Sequence, residues 1–268
     1  MKADIFYTNP NLSIVIPGPC QAKCDFCFWY QKETDPLWLT KLAYVLDTLP
    51  SCFEQVSVTG GEPTLSPKYL MPTLDLLEAR RGKFKKVVLT TNGIFLDRCL
   101  ERVNQVVDHV NISRHHWLQE ENVKVFGTAQ IPDNDKLQSY ANALKDKLTF
   151  NCVIKDMSVP DMYAYLNYAQ KMGVKHISFR QEHGKLDAVA IEKHLEEKQK
   201  KTGVGGCPVC RSSFFDVETG NGIMDVNVKY SVLEPKDVID GIYELVFHSD
   251  GKLTADWEAN VVIDLIAE

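Results

Sequence analysis

A chain of 268 residues, 44% of them hydrophobic, can bury one large α/β core with a small appendage. Its 30 Lys and Arg stand against 36 Asp and Glu, a formal charge of −6, which excludes a broad cationic surface able to hold a nucleic-acid backbone. Residues 1–11 lack a basic segment followed by an apolar one, and no later apolar run approaches the length of a bilayer span, so no membrane association and a cytoplasmic location are expected.

Short β-rich runs alternate with longer helical patterns, the signature of repeated βα units and a parallel sheet. Strands are expected at Leu12–Ile16, Gln55–Thr59, Lys85–Thr90, His109–Ser113, Thr149–Ile154 and His176–Arg180. Helical patterns fall between them near Leu37–Leu49, Lys68–Arg80, Leu96–Val107, Asp135–Leu144 and Asp161–Met172. Pro160 and Gly173 supply the start and stop signals of the last helix. After Glu182 the alternation lapses into a charged helical stretch, Ile191–Lys201, then Gly203–Cys210. A hairpin over 245–257, centred on Asp250-Gly251, follows. The expected division is a βα domain over 1–182 and a C-terminal extension over 183–268.

Reading alternate strand residues reveals a second regularity, because successive side chains point to opposite faces. Ser57 and Thr59 share a face, as do Thr90 and Asn92, Asn111 and Ser113, Thr149 and Asn151, and Ser178 and Arg180, while residues between them are mostly apolar. A parallel sheet covered by helices on both faces reads as continuous apolar runs. One polar face therefore implies a curved sheet whose concave side lines a wet ligand cavity.

Eight cysteines in a chain read as cytosolic argue for metal binding rather than disulfides. Cys20, Cys24 and Cys27 fall within one short loop after the first strand. Three thiolates there suit three irons of a [4Fe–4S] cluster and leave the fourth iron without a protein ligand. Zinc is the competing metal, although structural zinc normally closes with four ligands. Cys207 and Cys210 form a CxxC pair, while Cys52, Cys99 and Cys152 stand alone and read as core residues.

At Cys20-Gln21-Ala22-Lys23-Cys24-Asp25-Phe26-Cys27 the sequence resembles the radical S-adenosylmethionine (SAM) superfamily, whose loop carries an aromatic residue, here Phe26, before the third cysteine. Thr59-Gly60-Gly61-Glu62-Pro63 is similar to the family segment that binds the SAM ammonium group, with paired glycines letting backbone carbonyls approach and a carboxylate favouring the charge. The resemblance covers about Leu12–Gln181. It implies a partial (β/α)6 barrel, with the site at the carboxyl ends of the strands. It also implies that Asn92, Ser113, Asn151 and Arg180 contact SAM or substrate.

As implied chemistry, the reduced cluster cleaves SAM and a hydrogen atom is taken from a small-molecule or nucleotide-like substrate, with flavodoxin or ferredoxin as external electron donor. Arg114, His115, His116 and Trp117, just beyond the fourth strand, are candidates by position for acting on that substrate. In outline the chain is closest to molybdenum-cofactor-cyclase-like members, which carry auxiliary-cluster cysteines and a terminal hairpin. No cysteine follows Cys210 here, so a second cluster is not expected. Zinc, a redox dithiol and a turn remnant remain open for the pair. The rival readings are radical modification of a peptide or protein partner, and a non-catalytic iron–sulfur or zinc sensor or binding module.

Overall fold

The computed structural model describes residues 6–27, 29, 32–182, 187–206, 211–230, 242–255, 257 and 262–263. In chain order the strands are β1 (Phe6–Ile16), β2 (Phe53–Gly60), β3 (Phe84–Thr91), β4 (His109–Ser113), β5 (Leu148–Ile154), β6 (His176–Gln181), β7 (Lys200–Gly205), β8 (Ser212–Thr219), β9 (Gly222–Lys229), β10 (Ile242–Phe247) and β11 (Leu253–Thr254). The helices are α1 (Trp38–Thr48), α2 (Pro67–Glu78), α3 (Leu100–Val106), α4 (Gln119–Phe126), α5 (Asn134–Leu144), α6 (Val159–Lys171) and α7 (Asp187–Lys198). The chain forms two compact units, one of residues 1–21, 28–109 and 238–268, the other of 22–27 and 110–237. Among the described residues no helix is long and apolar enough to cross a membrane.

In the first unit β1 is central, flanked by β2 and β10, both parallel to it. That position explains why Leu12, Ile14, Val15 and Ile16 all sit in the core: a strand paired on both sides and covered on both faces has no exposed side. Leu12 pairs with Leu245, Ser13 with Val246 and Ile14 with Phe247, and the Ser13 hydroxyl donates to Glu244 Oε1 at 2.7 Å. β11 folds back antiparallel on β10, as the Asp250-Gly251 turn predicts. Wholly buried Trp38, the first residue of α1, fastens this hairpin. Its indole N–H donates to the His248 carbonyl at 2.8 Å, and its ring lies 5.4 Å from that of Phe247.

The second unit runs β4, β5, β6 and β9 in parallel, then adds β8 and β7 antiparallel. α6 starts with a capping box between Ser158 and Asp161 and stops at Gly173, which adopts φ +82°, as its sequence signals require. The helix expected over 96–107 is shorter, because Cys99 leaves helical geometry at φ −134° and α3 starts after it. The charged stretch 191–201 is helical only to Lys198, and Lys200 and Lys201 open β7 against Asp216 and Phe215.

The extension expected over 183–268 is distributed between the two units: β7, β8 and β9 join β6, and β10 and β11 join β1. Each addition pairs backbone groups that a bare strand edge would leave open. Cys207, Cys210 and Asp256 lie outside the described residues.

Candidate active site

The alternate-residue pattern is present in both units. In the first, Ser57, Thr59 and Thr90 are half-buried while Val58 and Leu89 between them are fully buried. In the second, Ser113 pairs with Asn151, Asn151 with Ser178 and Ser178 with Asn227. Register partners in a parallel ladder share a face, so these four form one polar row. The Ser178 hydroxyl lies 3.3 Å from Asn227 Oδ1. Further toward the carboxyl ends, Arg180 is in register with Lys229, bringing two cations to the same face as the row. The sequence reading missed Asn227 and Lys229. The alternation Met224, Val226, Val228, with Asp225, Asn227 and Lys229 between, is the signal that marks them.

The first part of the cysteine loop is fixed within the first unit. Gly60, at φ +142°, has no room for a side chain, since a Cβ would stand 2.7 Å from the Ile16 carbonyl oxygen. A Cβ on Gly61 would meet the Trp29 ring at 2.7 Å and the Pro19 carbonyl carbon at 2.9 Å. The paired glycines thus let the β2 end press against the chain that carries Cys20, and the Glu62 N–H donates to the Pro19 carbonyl at 3.2 Å.

Glu62 is only 2% exposed and its carboxylate is turned into the protein. Oε1 accepts from the Thr64 N–H at 2.9 Å, the Thr64 hydroxyl at 2.7 Å and the Thr91 hydroxyl at 2.6 Å, and Oε2 accepts from the Asn92 N–H at 2.7 Å. Burial pushes the Glu62 pKa up, while these donors pull against it. Asn92 is also buried. Its Oδ1 accepts from the Ile94 N–H at 3.0 Å and from Gln21 Nε2 at 3.3 Å, and its Nδ2 faces Cys20 Sγ at 3.9 Å.

The second part of the loop is fixed within the second unit. The Lys23 N–H donates to the Phe126 carbonyl at 2.8 Å, satisfying an orphan acceptor at the end of α4. The Cys27 N–H donates to the Cys24 carbonyl at 3.2 Å. Phe26 packs edge-on against His115 with ring centroids 4.9 Å apart, and His115 packs on Phe126 at the same separation. His115 Nδ1 accepts from the Val153 N–H at 3.1 Å, which puts the ring proton on Nε2. Desolvation, with Arg114 nearby, drives its pKa down to about 3, so it is a neutral part of the core. Asp25 pairs with Lys155.

The candidates after β4 divide by burial. Arg114 is 2% exposed. Its Nη1 donates to the Pro132 carbonyl at 3.3 Å, and its guanidinium lies 5.4 Å from the Tyr168 ring centre, away from the polar row. His116 and Trp117 stack at 3.9 Å, in a turn held by the fully buried Asn122, whose Oδ1 accepts from the N–H groups of His115 and His116. Cys99 and Cys152 are core residues, with thiols that burial pushes up, to about 12 for Cys99. Cys52, expected in the core, is half-buried just before β2.

Cys20 and Cys24 are half-buried and Cys27 is exposed, and none of them is in a disulfide. Among the described residues no group of three or more His, Cys, Asp or Glu side chains stands at metal-ligand spacing. The fit of a cluster therefore rests on the donors: three thiols on one loop, none sealed in the core as Cys99 and Cys152 are, and one with an amide donor beside it.

Repeated parallel βα units, a three-cysteine loop after β1 and a Gly-Gly-Glu-Pro segment after β2 define a radical SAM protein. Residues 14–154, more than half of the chain, match the family model of the radical SAM superfamily. The chain belongs to that superfamily, whose enzymes use a [4Fe–4S] cluster and SAM. Among curated relatives, a probable GTP 3′,8-cyclase of Methanococcus aeolicus is 25% identical over 209 residues, covering 72% of this chain and 69% of the relative. The GTP 3′,8-cyclase of Synechocystis sp. is 24% identical over 216 residues, covering 71% of this chain and 62% of the relative. Among solved structures, Streptococcus suis SuiB bound to S-adenosylmethionine matches with a TM-score of 0.66 at 14% identity, over 95% of this chain and 62% of that one. Native anSMEcpe with bound AdoMet matches at 0.54 with 17% identity, over 70% of this chain and 60% of that one. At these identities the solved structures establish the shared fold alone, repeated βα units on a parallel sheet.

Proposed function

We propose that this chain is a radical SAM enzyme that carries one [4Fe–4S] cluster on Cys20, Cys24 and Cys27 and acts on a small, anionic, nucleotide-like molecule. The observation that carries the reading is the cysteine loop itself, pressed against Gly60 and Gly61 with an amide donor at Cys20. When bound, the reduced cluster and SAM together supply an oxidant strong enough to take a hydrogen atom from an unactivated carbon.

The chain's own residues bind, orient and exclude water. Phe26, seated on His115, anchors the loop beside its third cysteine. Gly60 and Gly61 offer backbone carbonyls to the SAM ammonium. Glu62, whose lone pairs serve Thr64, Thr91 and Asn92, acts as a positioning residue for that segment. Ser113, Asn151 and Ser178, with Asn227, provide hydrogen bonds across one face for SAM or substrate hydroxyls, and Arg180 with Lys229 matches an anionic substrate group. The curated relatives, named as GTP 3′,8-cyclases, support a nucleotide-like substrate. A small external electron carrier of the flavodoxin or ferredoxin type supplies the reducing electron.

The test is anaerobic reconstitution followed by reduction with SAM present. The expected outcome is about four irons per chain, loss of that cluster in Cys24→Ala, and slow release of methionine and 5′-deoxyadenosine. With the correct deuterated nucleotide, the 5′-deoxyadenosine gains deuterium. A full, reducible cluster with bound SAM that never yields 5′-deoxyadenosine would overturn the enzymatic reading, and stable zinc without iron uptake would overturn the cluster.

A further inference from the structure

We infer that Asn92 is a positioning residue for the cluster, donating an amide N–H to the sulfur of Cys20 and thereby raising the reduction potential of the iron that Cys20 holds. The inference rests on the cluster reading above and concerns a residue that sequence reasoning assigned to SAM or substrate.

The amide orientation follows from chemistry. Oxygen and nitrogen of an Asn side chain are exchanged by a simple flip, and the network decides between them. A backbone N–H only donates, so the atom facing the Ile94 N–H at 3.0 Å must be Oδ1. Nδ2 is left toward Cys20 Sγ at 3.9 Å. Gly93, at φ +79°, makes the turn that brings the Ile94 N–H back over the side chain. At its other end Asn92 is held by its own N–H, which donates to Glu62 Oε2 at 2.7 Å. A residue 7% exposed has little water to take over the donor's part.

A cysteine sulfur bound to iron carries negative charge that grows when the cluster gains an electron. A fixed donor at that sulfur stabilises the reduced state more than the oxidised one, and hydrogen bonds to cluster sulfurs are among the determinants of iron–sulfur potentials. Glu62 thus reaches Cys20 indirectly, through the backbone and then the amide of Asn92.

The test compares wild type with Asn92→Ala, which removes the donor, and Asn92→Asp. The Asp variant keeps an oxygen for the Ile94 N–H and replaces only Nδ2. All three are reconstituted anaerobically, and iron content, the reduction midpoint by electron paramagnetic resonance, and thermal unfolding of the metal-free proteins are measured. The expected result is full iron with a lower midpoint in both variants, lowest in Asp. The reduced fraction at a fixed poise should fall about tenfold, equivalent to about 59 mV for a one-electron couple. Loss of iron from both variants at unchanged apo-protein unfolding would show that Asn92 retains the cluster rather than tunes it, and overturns the effect on the potential. Wild-type midpoints in both variants at full iron overturn it; where the buried charge of Asp beside Glu62 lowers apo-protein stability, the midpoint of Asn92→Ala decides. Wild-type protein that takes up no cluster fails the underlying reading, and the inference falls with it.

Discussion

The Glu62 carboxylate is turned into the protein. Four donors converge on it, from Thr64 after β2 and from Thr91 and Asn92 at the end of β3, in a place with almost no access to water. Glu62→Ala leaves the Thr64 and Asn92 N–H groups unpaired there, a cost of about 3 kcal/mol or more. A large drop in the unfolding midpoint of the metal-free protein is expected. An unchanged midpoint would show that the carboxylate is free to serve a ligand instead. His115 makes a second prediction, with a sign set by its lowered pKa. Below about pH 6.5 the unfolded chain takes up a proton that the native ring declines until about 3. Its contribution to stability is full above the unfolded value and is lost as pH falls through that window, by up to about 1.4 kcal/mol per unit. Between pH 7 and 5, wild type should lose about 2 kcal/mol more than His115→Gln in urea unfolding. Equal losses would show that the ring is hydrated and titrates normally.

The terminal hairpin is the element whose role most exceeds its length. Leu245, Val246 and Phe247 are fully buried because β10 extends the parallel sheet on β1, and Trp38 closes over its end. Phe247→Ala should cost about 3–5 kcal/mol of folding stability, read by denaturant unfolding. A loss below about 1 kcal/mol, the range of surface changes, would mean that β10 packs loosely on β1. The alternation of strand and helix was legible because the two periods differ along the chain, and Pro160 and Gly173 marked the ends of α6. Less legible was the β8–β9 hairpin. Its Gly220-Asn221 turn and period-two pattern were present but stood beyond the point where the βα rhythm breaks. α4 escaped because only Asn122 and Phe126 of its eight residues are buried, too few to mark a face.

At the scale of the molecule, the segment after residue 182 is divided between the two compact units, supplying strands to β6 in one and to β1 in the other. The chain by itself determined the family and, with it, the radical SAM type of enzyme. Three cysteines within eight positions, a glycine pair at a strand end and alternate polar residues along the strands are local patterns, and local patterns survive in one dimension. Only the tertiary structure decided what those residues touch. Glu62 turns inward because donors from residues 64, 91 and 92 surround it. Asn92 faces Cys20 across 72 positions of chain, and Ser13 meets Glu244 across 231. Such contacts arise when parallel strands, which cannot be joined by a tight turn, bring distant segments into register. Strand register depends on pairing between segments and is carried by neither sequence alone.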